Sequence, residues 1–154
     1  MNPNYARKNP EWFEEVKEKS KSVWDLEYGD MCFKLLETGT VIREQFRDQN
    51  MQRDQGNVFL ILKEAERERD VRKAKAAILK HHHEHSGFVP NWDDISQTKW
   101  QVKYIRYYNN LDYFSESWYQ MYGFVSFASA NEAKKSIEDC RSHWLTVFGA
   151  KEIK

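Results

Sequence analysis

The chain has few of the residues that mark specialised protein classes. It contains only two cysteines, Cys32 and Cys140, and no CxxC pair, so a disulfide framework is not expected. Two isolated cysteines in a reducing cytosol are typically free and buried. No apolar stretch approaches the roughly 18 residues of a membrane span, and no signal-like segment begins the chain. The sequence therefore predicts a cytoplasmic protein.

The chain also has a net charge of zero, because 24 Lys and Arg residues balance 24 Asp and Glu residues. Bulk electrostatic binding to duplex DNA requires the neutralisation of several phosphates, so a neutral chain argues against it and equally against an acidic DNA mimic. Aromatic residues are plentiful at 15%, although the mean hydropathy is only −0.88. Large rings bury much area each, so 154 residues with this composition are enough for one domain with a real core.

One sequence pattern occurs twice, and it indicates the architecture. A phenylalanine leads into a Glu-Ala step at the same spacing in both copies, which are Phe59 with Glu64-Ala65 and Phe127 with Glu132-Ala133. Each copy follows strand-like sequence with a glycine, and each begins a stretch rich in helix-forming residues. The pattern predicts two strand-to-helix units that share one core. It contains no catalytic group.

The N-terminal part of the chain predicts a helix and a β-hairpin. Asn9-Pro10-Glu11 is typical of a helix start and begins a predicted helix over residues 10–23. Residues 31–36 and 41–46 are predicted strands, and Thr38-Gly39 between them supplies the chain reversal.

The rest of the chain predicts a long helix, a second hairpin and a closing helix. Residues 62–83 are rich in Ala, Glu, Lys and Arg. Residues 100–108 form the clearest predicted strand, Asn109-Asn110 a predicted turn, and residues 113–120 and 123–127 two further strands. Ser129 and Glu132 have the spacing of a capping box before a helix over residues 130–148. The core-facing stripe of that helix comprises Ala133, Ile137, Cys140, Trp144 and Phe148. Gly149 is its predicted C-cap.

These elements predict an α+β fold, in which antiparallel β-hairpins are packed by two main helices and an N-terminal helix is appended. We expect one α+β domain over residues 28–149, preceded by a helical arm over residues 1–27 and followed by a tail over residues 150–154.

Several segments resemble a recurring element of small, uncharacterised proteins encoded by phages and prophages. They are Gly56-Asn-Val-Phe-Leu with the charged helix after it, Gly123-Phe-Val-Ser-Phe-Ala-Ser-Ala-Asn-Glu-Ala, and a closing Trp144-Leu-Thr-Val-Phe-Gly149. The resemblance covers about residues 28–149, with two departures. Ile61 stands where the element has a capping Thr, and Lys63 replaces the first residue of a Glu pair.

The resemblance implies a phage origin and the cytoplasm of a bacterial host, and it transfers no active site. Phage accessory proteins commonly act against the host by stoichiometric binding. We therefore expect an inhibitor of a host or defence protein, such as an anti-CRISPR protein that binds a nuclease complex. A nucleic-acid-binding module and a homo-oligomeric structural protein are the alternatives.

A run of histidines is the first candidate site. Imidazoles are common zinc ligands, and His81 and His85 would share one face of a helix that extends so far. Cys32, Cys140 or His143 would have to complete the ligand set, but the spacing indicates no such arrangement. The ordinary explanation is a polar helix end whose histidines favour the negative C-terminus. We expect no bound metal and no cofactor.

The second candidate is an aromatic and basic surface around the strand over residues 100–108. Tyr, Trp and Arg dominate interface hot spots, and exposed rings beside cations also stack single-stranded bases. The same rings more often pack under helices or across strands. The candidate partner-binding residues are Trp100, Lys103, Tyr104, Arg106, Tyr107, Tyr108, Tyr113, Trp118, Tyr119 and Tyr122.

No pattern in the chain indicates catalysis. The carboxylates lie in mixed-charge helix and turn sequence, where solvated faces are expected. A phosphate-binding loop, an HExxH motif and a nucleophile elbow are all missing from the sequence. We expect a protein that binds and does not catalyse.

Overall fold

The fold combines helices with two antiparallel sheets, which confirms the predicted α+β class. The structure is a computed structural model and describes residues 21–47, 53, 55–116 and 124–151. Two compact units divide between Ala65 and Glu66, and the predicted domain boundaries stay a prediction. Nearly all of the predicted N-terminal helix lies outside the described residues; at its end, Val23–Asp25 forms one 3-10 turn capped by Ser22.

The first unit contains a three-stranded antiparallel sheet. Its strands are β1 (Met31–Leu35), β2 (Val41–Gln45) and β3 (Val58–Phe59), in the order β2-β1-β3. The predicted hairpin is confirmed, and Gly39 takes a φ of 79° in its turn, a conformation that glycine adopts without strain. Four buried residues form the cluster of this unit: Leu26, Cys32, Phe46 and Val58.

Three α-helices occur in the described residues: α1 (Leu62–His85), α2 (Ala130–Asp139) and α3 (Arg141–Phe148). The helix predicted over residues 130–148 is therefore two helices, because Cys140 leaves the helical region with φ −116° and ψ 24°. Gly149 ends α3 in the left-handed conformation, as expected of a C-cap glycine.

The start of α2 forms half of the predicted capping box. The Ser129 hydroxyl accepts the Glu132 N–H at 3.3 Å. The Glu132 carboxylate does not return to the cap residue; it accepts the Ala128 N–H at 3.2 Å and the hydroxyl of Ser86 instead. Glu132, which the spacing assigns to the capping box, therefore also binds Ser86, the residue that follows α1.

The second unit is built around the hairpin of β4 (Lys99–Ile105) and β5 (Asn110–Glu116). Phe127 pairs with Trp100 in a single antiparallel bridge, where a third strand over residues 123–127 was predicted. Helix α2 contacts both strands, and α3 contacts β5. Trp144 is 1% exposed, and its indole N–H donates to the Ser136 hydroxyl at 3.1 Å.

The described ranges contain two clusters of buried residues, where one shared core was expected. The second comprises Ile78, Val102, Leu111, Val125, Phe127, Ala133, Ile137, Cys140, Trp144 and Leu145. The two copies of the repeated pattern pair with separate sheets, since Phe59 pairs with Phe33 and Phe127 with Trp100. Phe127 and Ala133 of the second copy lie in the second cluster, whereas Phe59 of the first copy pairs with the sheet of the first unit. Among the described helices, none is both long and apolar enough to cross a membrane.

Candidate binding surface

The hairpin of the second unit turns earlier than its sequence indicates. The ladder ends where Ile105 pairs with Asn110, so residues 106–109 form the loop. Tyr108 N–H donates to the Ile105 carbonyl and Asn109 N–H to the Arg106 carbonyl, both at 3.2 Å. Asn109 closes the loop with a φ of 47°, which asparagine tolerates better than most residues. We call Arg106, Tyr107, Tyr108 and Asn109 the hairpin tip.

This early turn changes the position of two rings that the sequence placed in a strand. Tyr107 is 88% exposed and Tyr108 is 71% exposed. Their rings contact each other edge to face, with centroids 4.9 Å apart and an interplanar angle of 87°. The hairpin tip thus presents two mutually packed aromatic rings to solvent.

Three further rings of the hairpin, those of Trp100, Tyr104 and Tyr113, pack inward. Trp100 and Tyr113 meet edge to face across the two strands at 5.8 Å, and both pack against the buried cluster. Tyr104 stacks on Phe148 of α3 at 6.2 Å. These three candidate residues are partly buried and stabilise the hairpin, which holds the tip in place.

Two charged side chains of the strands, Lys103 and Asp112, pair with each other across the ladder. Lys103 Nζ lies 3.7 Å from Asp112 Oδ2 across the ladder and 5.3 Å from the centre of the Phe114 ring. Arg106 is exposed in the tip. Arg141, at the start of α3, donates to the Asn110 side-chain oxygen at 3.5 Å. Two guanidinium groups therefore lie in the tip and beside its base.

Sequence reasoning did not include Arg141 or Asn110 in this surface. The two residues are 31 positions apart, and their proximity results from the packing of α3 against β5. Among the remaining candidates, Trp118, Tyr119 and Tyr122 lie outside the described residues.

None of the protein-family models, curated proteins and solved structures compared with the chain matches it. Geometry and chemistry of the described residues must therefore support any functional proposal.

The histidine run uses its ring nitrogens within the second unit. His81 Nε2 lies 2.9 Å from Asp139 Oδ2, His82 Nε2 lies 2.8 Å from the Ser126 carbonyl, and His85 Nδ1 lies 2.9 Å from the His81 carbonyl. The His81 and His85 rings also stack at 4.2 Å. Within the described part of the chain, no three His, Cys, Asp or Glu side chains are arranged to hold a metal ion.

The hydrogen bond from His81 shifts the titration of Asp139. An ionised carboxylate only accepts hydrogen bonds, so His81 Nε2 is the donor. This hydrogen bond lowers the pKa of the Asp139 carboxyl below its usual value. The run therefore joins the end of α1 to α2 and to the segment around Ser126.

The two cysteines are free and buried, as the sequence predicts. Burial raises the pKa of both thiols, Cys32 and Cys140, so they stay protonated near neutral pH. Neither has the lowered pKa of a reactive thiol.

Proposed function

We propose that this protein acts by stoichiometric binding to another protein and that the hairpin tip makes the central contact. The observation that supports this proposal is the exposure of Tyr107 and Tyr108, whereas Trp100, Tyr104 and Tyr113 of the same hairpin pack inward. Tyrosine and arginine are enriched among the few residues that carry most of the binding energy at interfaces. The tip has both residue types next to each other.

The rigidity of the hairpin adds to this argument. Binding is weakened by the entropy of ordering side chains and loops at the interface. The tip is held by two backbone hydrogen bonds, and its rings already restrict each other. The strands below are held by the Trp100–Tyr113 and Tyr104–Phe148 contacts. Little further ordering is needed when a partner covers the tip.

The open groove beside the end of α1 favours binding over catalysis. An open groove of about 170 Å³ has a lining that is mostly apolar, formed by Leu79, His82, Phe88, Val89, Pro90, Trp92, Phe124, Val125 and Ser126. His82 is the single titratable group of that described lining, and its Nε2 bonds to a backbone carbonyl. General acid–base chemistry needs positioned groups that are available for proton transfer.

The alternative, binding of nucleic acid along the strand over residues 100–108, has weaker support. Lys103, the cation in the middle of β4, is paired with Asp112, whose negative charge opposes a phosphate backbone at this position. Bases stack on open ring faces. In the edge-to-face pair of Tyr107 and Tyr108, one ring covers a face of the other.

The resemblance to small phage proteins supports a more specific target. A phage protein that binds stoichiometrically gains most by blocking a host or defence protein. We therefore extend the proposal to inhibition of a defence system, such as an anti-CRISPR action on a nuclease complex. The measurement for this part is phage plating on a bacterial host with an active CRISPR system, with and without expression of the protein. Unchanged plating efficiency would contradict it.

The binding itself is tested by affinity capture from nuclease-treated bacterial lysate. The double variant Tyr107→Ala/Tyr108→Ala should reduce recovery of the captured protein by at least about tenfold. Tyr28→Ala is the matched control, because Tyr28 is 80% exposed but belongs to the first unit. Capture that survives in the double variant would place the contact elsewhere. Capture that depends on intact nucleic acid would favour the alternative.

A further inference from the structure

Strand β2 has backbone groups that the ladder with β1 does not use. At the two ends of that ladder, Leu36 N–H donates to the Thr40 carbonyl at 2.9 Å and Phe46 N–H to the Asp30 carbonyl at 2.6 Å. Hydrogen-bonded pairs alternate along an antiparallel ladder, so every second residue of β2 bonds to β1. The residues in between direct their N–H and C=O groups away from β1. We call these outward groups the β2 edge, and they belong to Val41, Arg43 and Gln45.

The β2 edge is open in the first unit. β2 is the last strand in the order β2-β1-β3, so no described strand lies beyond it. Among the described residues, no backbone hydrogen bond outside the helices and strands reaches Val41, Arg43 or Gln45. The first of these residues is half-buried and the other two are exposed. The outward N–H and C=O groups are therefore accessible to another strand.

β2 lacks two features that commonly prevent an edge from pairing. A free edge is a template for a further strand, and proteins often block it with a proline or a β-bulge. β2 contains no proline, and its five residues pair one to one with β1, without a bulge. Its edge can therefore accept a regular strand over its whole length.

The side chains of β2 present one unpaired cation beside this edge. Paired residues of an antiparallel ladder share a face, so Glu44 lies on the face of Cys32 and the buried cluster. Its carboxylate lies 3.4 Å from Lys34 Nζ. Arg43 lies on the opposite face, is exposed, and takes part in no ion pair of the described residues.

The charge of Arg43 decides which strand fits the edge. Arg43 is the central residue of β2, so two β2 edges that pair antiparallel in full register would place this arginine opposite its own copy. Like charges directly opposite each other destabilise a ladder, whereas opposite charges stabilise it. The position therefore disfavours a second copy of the chain and favours a strand with a carboxylate.

We propose that the β2 edge binds an extended segment of a partner protein, which adds an antiparallel strand with Asp or Glu opposite Arg43. In this mode of recognition, main-chain hydrogen bonds supply affinity and side-chain pairs supply selectivity. The contact goes beyond the proposed function, because β2 belongs to the first unit and the hairpin tip to the second.

A display library of random linear peptides tests this proposal on the full-length protein. Peptides that also bind Gln45→Pro are removed by counter-selection, because proline there removes an outward N–H and spares the bonds to β1. We expect Asp and Glu to be enriched among the remaining peptides relative to the input library. A synthetic enriched peptide should bind about two- to fivefold more weakly to Arg43→Gln. Lys80→Gln removes an exposed cation of the second unit and should leave the affinity unchanged.

Amide exchange locates the contact without any variant. The bound peptide should slow exchange of the three amides of the β2 edge. The amides of Ile42 and Glu44 already bond to β1, so their exchange should change little. Charge reversal by Arg43→Glu should also reverse the preference, so that the same peptide with Lys in place of its acidic residue binds more tightly than the original.

Each other result would count against a definite part of the proposal. Slowed exchange without the alternation would overturn strand addition at the β2 edge, and so would a library that yields no binding peptide. Alternating protection without a preference for acidic peptides would overturn the carboxylate opposite Arg43. Protected edge amides in the free protein, together with a dimer in light scattering, would assign the edge to a second copy. None of these results bears on the hairpin tip.

Discussion

Ile61 and Ser129 occupy equivalent positions, each immediately before the helix that follows its copy of the repeated Phe and Glu-Ala pattern. Ser129 Oγ accepts the Glu132 N–H at 3.3 Å, whereas Ile61 has no side-chain acceptor and contributes only its carbonyl, 3.1 Å from the Glu64 nitrogen. The alanine of each copy, Ala65 or Ala133, is fully buried. The two copies thus share their packing position but differ in capping.

This difference predicts opposite effects of two substitutions at the helix starts. Ile61→Ser should raise the free energy of unfolding by about 1 kcal/mol because it adds a side-chain cap next to Glu64. Ser129→Ala should lower it by about the same amount because it removes a cap. Urea unfolding followed by circular dichroism measures both. An Ile61→Ser variant less stable than the unaltered protein would show that the exposed isoleucine has a packing role.

The hydrogen bond between His81 and Asp139 predicts a dependence of stability on pH. The pKa of Asp139 is lowered in the folded protein. The ionised carboxylate therefore stabilises the fold at pH values above the ordinary pKa of this group, which is 3.8. This contribution is lost as the pH falls through the lower pKa of the folded state. Asp139→Asn should therefore be less stable than the unaltered protein at neutral pH, and the difference should shrink below about pH 4.

Chemical unfolding at a series of pH values between neutral and about pH 2.5 would measure this change. His81→Ala is the control, because it removes the donor of the same hydrogen bond and should reduce the same acid-dependent component. A stability difference for Asp139→Asn that is constant over the whole range would contradict the assigned role.

Two tyrosines of the same hairpin should respond differently to truncation. Tyr104→Ala should cost roughly 2–3 kcal/mol of unfolding free energy, since the ring stacks on Phe148 and packs against the buried cluster. Tyr107→Ala should change stability by less than about 0.5 kcal/mol because its side chain is exposed. Thermal and urea unfolding measure both. A large loss for Tyr107→Ala would mean that the tip has a structural role.

Lys99 is fully buried, and its ammonium organises the loop before β4. Nζ donates to the Asp94 carbonyl at 2.7 Å and the Gln97 carbonyl at 2.8 Å, and it lies 5.4 Å from the centre of the Trp92 ring. Lys99→Met should lower the free energy of unfolding by roughly 1–3 kcal/mol, because two carbonyls lose their hydrogen-bond donor. Amide exchange in residues 91–98 should accelerate.

Lys103→Met is the matched control for Lys99, because Lys103 is on the same strand but its side chain is 42% exposed. Loss of the Lys103 ammonium should lower the free energy of unfolding by less than about 1 kcal/mol, the usual limit for an exposed ion pair. Equal effects of the two substitutions would show that the buried ammonium makes no special contribution.

The histidine run should not hold a stoichiometric metal ion. His81, His82 and His85 each have one ring nitrogen engaged with a carboxylate or a carbonyl. Elemental analysis of protein purified without a metal-affinity column should find well below one zinc per chain. One equivalent of zinc that remains after dialysis would contradict this expectation.

Much of the architecture could be predicted from local patterns. Helix α1, the hairpin of β1 and β2, the cap at Ser129 and the end at Gly149 depend on propensity, periodicity and capping among residues a few positions apart. The break between α2 and α3 at Cys140 was not visible, because the core-facing stripe continues across it from Ala133 to Trp144.

The position of the hairpin tip could not be obtained from those local patterns. Aromatic and β-branched residues, which favour strands, continue as far as Tyr108, so the sequence offered no reason to end the strand at Ile105. The strand ends there because its ladder with β5 closes at Asn110, and long-range contacts with Phe127 and Phe148 hold Trp100 and Tyr104 inside. Local preference was enough to form the strand, but strand pairing and distant packing determined which rings reach solvent.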